Sequence, residues 1–225
     1  MTAPRVADTL SGDKGGEDMA GFYQKHILPR FIGCACGTKP IMKQRAKIVP
    51  KAAGDVLELG IGAGHNLAFY DPAAVTGVTA IEPSAELRAA AAVAPRAPGL
   101  RLDLQDGVGE ALPFDAGRFD CIVCTYTLCT VGDVAATLRE ARRVLKPGGT
   151  LLFCEHGLAP DATVARWQRR IDPVWKRIAG GCHLSRPVAS AIAAQGFAIE
   201  RLDTMYLPGT PRFAGWNEWG TARPA

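Results

Sequence analysis

The chain has 225 residues, 48% hydrophobic and 21% charged, a length that suits one globular α/β unit with a substantial core. Its 25 Gly and 16 Pro are scattered without period, which excludes collagen-like and low-complexity chains. No apolar run approaches the roughly 20 residues of a membrane-spanning helix, and a net charge of +4 is too mild for a nucleic-acid-binding surface.

Residues 1–20 lack the apolar stretch of a secretory signal. The odd number of cysteines, seven, then reads as reduced thiols in a cytoplasmic protein. Residues 1–16 are polar, Gly-rich and aperiodic, as in a flexible tail. Phe22, Tyr23, Ile27, Leu28 and Phe31 recur at helical spacing over 17–31, and 39–48 reads as a second short helix. Residues 17–50 are therefore expected to form an N-terminal helical cap on a domain spanning 51–225.

From Asp55 onward, strand and helix signals alternate as in parallel α/β folds. Strands are expected at 55–59, 78–81, 101–104, 119–124 and 150–154, with helical segments at 65–70, 84–93 and 133–145. Helices at 163–178 and 186–195 follow, then strands at 198–204 and 212–221. The fold class is α/β: a doubly wound, seven-stranded, mostly parallel sheet with its last strand antiparallel. The 163–178 helix carries Val164, Trp167, Ile171, Val174 and Ile178 on one stripe beside several basic residues. Such a helix can lie on a membrane, but Pro173 and the single-domain context favour a stripe that covers the core or a pocket.

The informative segment is Val56-Leu57-Glu58-Leu59-Gly60-Ile61-Gly62-Ala63-Gly64. A strand runs into Gly-x-Gly-x-Gly, where glycines allow a sharp turn and close approach to a ligand, and a following helix N-terminus offers N–H groups to an anion. Glu82 ends the next strand, where a carboxylate can accept bonds from both ribose hydroxyls. Dinucleotides and S-adenosylmethionine both use this arrangement. The dinucleotide fingerprint wants a glycine where His65 stands, which weakens a nicotinamide oxidoreductase.

Taken with AIEPS (80–84), GEALPF (109–114), FDCIVCTYTLCTV (119–131) and EARRVLKPGGTLLF (140–153), LELGIGAG (57–64) resembles the class I S-adenosylmethionine-dependent methyltransferases. That resemblance implies a Rossmann-like methyltransferase fold with S-adenosylmethionine as cofactor. It places Gly60, Gly62, Gly64 and Asn66 at the methionine part, Glu58 near its amino group, and Glu82 and Pro83 at the ribose. Asp106, Gly107, Val108 and Gly109 fall at the adenine and Thr125 beneath the sulfonium. Many relatives put an adenine-binding Asp where this chain has Val108, leaving the role to Asp106 or to backbone at 109–110. Lys146–Gly149 reads as the turn before the fifth strand.

Methyl transfer needs an aligned lone pair on the acceptor. TLCTV, EHG, RRIDPVWK and GGCHLSR resemble the thiol methyltransferase branch, methyltransferase-like protein 7 and its bacterial relatives, which implies a small thiol as methyl acceptor. The alternative is N-methylation of a phospholipid amine, or O- or N-methylation of another small metabolite; a cofactor-sensing protein without catalysis is a further reading. Catalytic candidates are His156, His183, Tyr126 and Asp172. Cys121 and Cys124, three apart on a strand, face opposite ways. Cys34, Cys36, Cys182 and His183 lack paired metal-binding spacing, so no metal is expected. Neither nucleic acid nor membrane is an expected partner, and no feature sets an oligomeric state.

Overall fold

The computed structural model describes residues 36–225; the expected tail, the 17–31 helix and Cys34 lie outside the described residues. Helix α1 (Lys39–Ile48) leads through a short 3-10 turn into β1 (Gly54–Leu59). Then come β2 (Val75–Ile81), α2 (Ala85–Val93), β3 (Leu102–Gln105), β4 (Phe119–Thr125), α3 (Val134–Val144) and β5 (Leu145–His156). The chain continues through α4 (Ala162–Ile178), α5 (Val188–Ala194), β6 (Phe197–Tyr206), a single helical turn α6 (Arg212–Gly215) and β7 (Trp216–Pro224).

The seven strands lie in the order β3-β2-β1-β4-β5-β7-β6. β7 runs antiparallel to both β5 and β6, and the other pairings are parallel. Side chains alternate between two cores, as the pleat requires. Leu57, Leu59, Ile122, Cys124, Leu151 and Phe153 meet Leu138 and Ala141 of α3 and Ile192 of α5 on one face. Val56, Val123, Leu152 and Cys154 meet Ile48 and Ala91 on the other. Cys121 and Cys124 are thus split between faces, as their spacing predicts. The order reverses between β1 and β4, and such switch points open a crevice at the strands' carboxyl ends.

Helices begin where local chemistry starts them. Ser84 accepts the Leu87 N–H ahead of α2, and Asp133 accepts the Ala136 N–H ahead of α3. Four expectations are corrected. Residues 65–70 form successive turns, with Leu67 N–H on Gly64 O and Phe69 N–H on Asn66 O, because Asn66 and Tyr70 are drawn down to the Glu58 carboxylate. Lys146–Gly149 loops out within β5, since Leu145 pairs with Phe119 and Thr150 already pairs with Cys121. The last strand begins at Trp216, because Pro211 starts the α6 turn.

Helix α4 also departs from expectation. Trp167, Val174 and Ile178 are more than half exposed, so the apolar stripe faces outward. The buried face instead carries Ala165, Gln168 and Asp172. Gln168 accepts the Ala159 N–H and donates to Gly157 O and Phe213 O, so polar anchoring sets the orientation. Among the described residues no helix is long and apolar enough to cross a membrane.

Candidate active site

A cavity of about 390 Å³ opens at the β1–β4 switch point. Its wall includes Gly60, Gly62, Glu82, Pro83, Gly107, Val108, Gly109 and Thr125. Gly60 has φ +65°, and a Cβ there would lie 2.5 Å from Thr127 Oγ1, so only glycine fits between β1 and the loop after β4. Gly62 has φ +56°, and its Cβ would meet no protein atom within 4 Å; the space beside it belongs to the cavity. Glu82 accepts the Gly62 N–H on Oε2 and the Ser84 N–H on Oε1, each at 3.0 Å. Burial pushes its pKa up against these two bonds and Arg88.

Other expected residues lie elsewhere. Gly64 packs against α2, where a Cβ would come 2.8 Å from Ala94 Cβ. Glu58 and Asn66 sit buried behind the glycine loop, off the cavity wall. Glu58 accepts Asn66 Nδ2 at 2.9 Å and the Tyr70 hydroxyl at 2.7 Å. Burial raises its pKa to about 7 despite the bonds from Tyr70 and Asn66 and the nearby Arg45 charge. Asp106 turns to Arg88 at 2.9 Å, with its side chain 72% exposed, so the Val108 side chain and neighbouring backbone form that wall instead.

Arg45 escaped the sequence reading. Its guanidinium is buried, donates from Nη1 to Asn66 Oδ1 and Thr125 Oγ1, and lies 5.0 Å from the Tyr126 ring centroid. Its Nε is buried without a protein acceptor, and Arg45 is among the residues that line the first cavity. The signal was present: Arg45 occupies the inward helical stripe between Ile41 and Ile48.

A second cavity of about 340 Å³ adjoins the first, and Cys36, Tyr126 and Thr130 line both. Tyr126 has φ 55°, the one positive value among described non-glycine residues; such backbone is costly and is held only by its surroundings. Its hydroxyl donates to Asn217 Oδ1 at 2.6 Å, and burial pushes its pKa well up. His156 is on the second wall, with Nε2 3.1 Å from Cys182 Sγ. His183 and Asp172 line neither cavity: Nδ1 of His183 faces Asp172 Oδ2 at 2.8 Å. Beneath them Glu155, fully buried and pushed up in pKa by burial, accepts the N–H groups of Thr127, Leu128 and Cys129.

A family model described as a methyltransferase domain matches residues 57–153. The thiol S-methyltransferase TMT1B of Rattus norvegicus is 35% identical over 182 residues, 71% of this chain and 68% of that protein. The human TMT1B is 39% identical over 176 residues, 73% and 71% of the two chains. The chain belongs to the S-adenosylmethionine-dependent methyltransferases. The methyltransferase also shares its fold with the solved S-adenosylmethionine-dependent methyltransferase of Mesorhizobium loti, with TM-score 0.61 and 22% identity over 83% of this chain and 98% of that one.

Its cofactor is S-adenosylmethionine, and the first cavity fits that molecule. The volume falls in the range of about 300–1,000 Å³ usual for small-molecule sites. A buried cation with an orphan N–H, at Arg45, and a buried carboxylate at Glu82 give polar anchors for an amino-acid group and a ribose.

Proposed function

We propose that this methyltransferase transfers the methyl group of S-adenosylmethionine to the sulfur of a small, apolar thiol. The observation that carries the reading is the second cavity: among the described residues, no Asp, Glu, Lys or Arg lines it. An amine acceptor is cationic near neutral pH and needs a carboxylate to hold it and a base to free its lone pair. An alcohol or phenol needs a strong base. A thiol enters neutral and is already roughly a few per cent thiolate. The similarity to rat and human thiol S-methyltransferases supports the same acceptor class.

At the cofactor end, Gly60 and Gly62 allow close approach of the methionine part, and the positive charge of Arg45 on the cavity wall attracts its carboxylate. The lone pairs left on the Glu82 oxygens take the ribose hydroxyls, and Val108, Pro83 and backbone at 107–110 flank the adenine. Glu58 and Asn66 act one layer back, holding the glycine loop in shape. When bound, the cofactor supplies an electrophilic methyl on a sulfonium. Tyr126, Thr130 and Cys36, common to both cavities, set the direction from which the acceptor sulfur reaches it, the alignment an in-line displacement requires. His156 faces the acceptor from the cavity wall, while Asp172 and His183 hold the 180–184 loop.

A panel of alkyl thiol, amine and phenol of matched size, with products read by mass spectrometry, tests the reading. Methylthioether from the thiol is expected. Turnover confined to the amine or phenol removes the thiol assignment and leaves the methyltransferase standing.

A further inference from the structure

The wall of the acceptor cavity gathers two sulfurs and an imidazole nitrogen. Cys129, His156 and Cys182 each offer one donor atom, and the three donors lie within 4.8 Å of one another. All three residues reach the cavity, and both cysteines are free thiols. Cys129 follows β4, His156 ends β5 and Cys182 follows α4, so only the fold brings them together. The cluster differs from the Cys34, Cys36, Cys182 and His183 grouping weighed from sequence: the His183 ring is engaged by Asp172, and Cys34 lies outside the described residues.

The cluster is clamped from behind. Glu155 holds the loop of Cys129 through that residue's own N–H. The His183 N–H donates to Cys129 O at 2.7 Å, and the Leu184 N–H donates to Asp172 Oδ1 at 2.6 Å. Both cysteine-bearing loops are therefore fixed to each other and to α4, which is the support a ligand shell needs. A tetrahedral ion with metal–sulfur bonds of about 2.3 Å and metal–nitrogen bonds of about 2.0 Å sets its donors about 3.5–3.8 Å apart. Closure around such an ion asks for donor shifts of about 1 Å or less.

We propose that Cys129, His156 and Cys182 form a three-ligand site for a thiophilic divalent cation of the zinc type, whose fourth position opens into the acceptor cavity and takes the thiol acceptor as its thiolate. The proposal rests on the thiol reading above. Two sulfurs, one imidazole and an open position make up the donor set of a catalytic zinc centre. A cysteine must give up its proton to bind such a cation. Loading therefore releases protons and strengthens as pH rises. When the acceptor binds, its S–H bond breaks, the proton leaves to solvent, and the sulfur lone pair joins the cation. That sulfur then forms the new S–C bond while the C–S bond of the sulfonium breaks, its electron pair staying on the departing sulfur. The cation keeps its oxidation state. With two protein thiolates and the acceptor thiolate bound, the centre carries one net negative charge and faces the positive sulfonium.

The test uses the full chain, reduced, stripped with chelator and titrated with Zn²⁺ or Co²⁺. One ion per chain is expected, with thiolate-to-cobalt charge transfer and the intense visible bands of a tetrahedral site. Cys129→Ser and Cys182→Ser should each weaken Zn²⁺ binding more than about 100-fold, since outer-shell changes alone cost about 10–100-fold, while Cys154→Ser binds as wild type. Retained S-adenosylhomocysteine binding shows that each variant folds. Zn²⁺ should restore thiol turnover to stripped enzyme and shift the acidic limb of its pH profile downward. No ion uptake, a cobalt spectrum without sulfur bands, or thiol turnover indifferent to stripping overturns the proposal and leaves the thiol reading intact. A sulfur-rich cobalt spectrum in an enzyme that methylates only amines removes the thiol reading and the acceptor role, while the three-ligand site stands.

Discussion

Glu58 links the cofactor loop to stability in a way that pH exposes. Its carboxylate is 1% exposed, and burial raises its pKa from 4.5 to about 7. A carboxyl whose folded pKa is raised binds its proton more tightly folded than unfolded, so its contribution is full below pH 4.5 and lost as pH rises through about 7. The two values differ by about 2.5, which at about 1.4 kcal/mol per pH unit amounts to about 3 kcal/mol. Glu58→Gln removes the titration. It keeps an oxygen for Asn66 Nδ2 and disturbs the bond from Tyr70, a pH-independent cost of about 1 kcal/mol. Glu82 and Glu155, also pushed up by burial, contribute alike to both proteins and cancel in the difference. Urea unfolding of cofactor-free protein across this window should show the stability of wild type relative to variant falling by about 3 kcal/mol, then levelling. A difference independent of pH, or one that grows, refutes the reasoning.

Gly60→Ala should lose about 1–3 kcal/mol in urea unfolding, because the left-handed backbone and the approach to Thr127 both oppose a Cβ. Gly62→Ala meets no protein atom, so calorimetry should show cofactor affinity falling by more than the loss in unfolding free energy; equal losses would contradict a ligand beside Gly62. Glu82→Gln should weaken S-adenosylhomocysteine binding about 10–100-fold, the worth of hydrogen bonds to a charged group, and cost about 1 kcal/mol in unfolding because its single amide oxygen serves only one of the Gly62 and Ser84 N–H groups. Glu155→Ala leaves the N–H groups of Thr127, Leu128 and Cys129 without their acceptor and should cost at least about 3 kcal/mol by denaturant unfolding; a cost below about 1 kcal/mol would contradict that role.

The parts legible in the sequence are those whose chemistry is local. The glycines after β1 and Glu82 after β2 declare a ligand crevice because turn geometry and strand ends are written within a few residues. Hydrophobic alternation placed the sheet, down to the opposite faces of Cys121 and Cys124. What escaped is fixed by distant partners. Arg45 meets Thr125, 80 residues away; α4 is oriented by Gln168 and Asp172, polar residues that a hydrophobic pattern assigns to the outside. Glu58 looked like a ligand-facing carboxylate, yet Asn66 and Tyr70 claim both its oxygens. The Cys129, His156 and Cys182 cluster draws on three separate elements, so no spacing rule reveals it.

Methylation of a short, uncharged hydroxythiol tests the choice of sulfur most directly, because one molecule offers the enzyme two heteroatoms without bringing a cation into the acceptor cavity. With S-adenosylmethionine carrying a ¹³C-labelled methyl group, carbon-13 spectroscopy of the product distinguishes methyl on sulfur from methyl on oxygen. The S-methyl product is expected with the hydroxyl untouched; label on oxygen, or no label transferred to this or any other small thiol, would contradict the thiol reading.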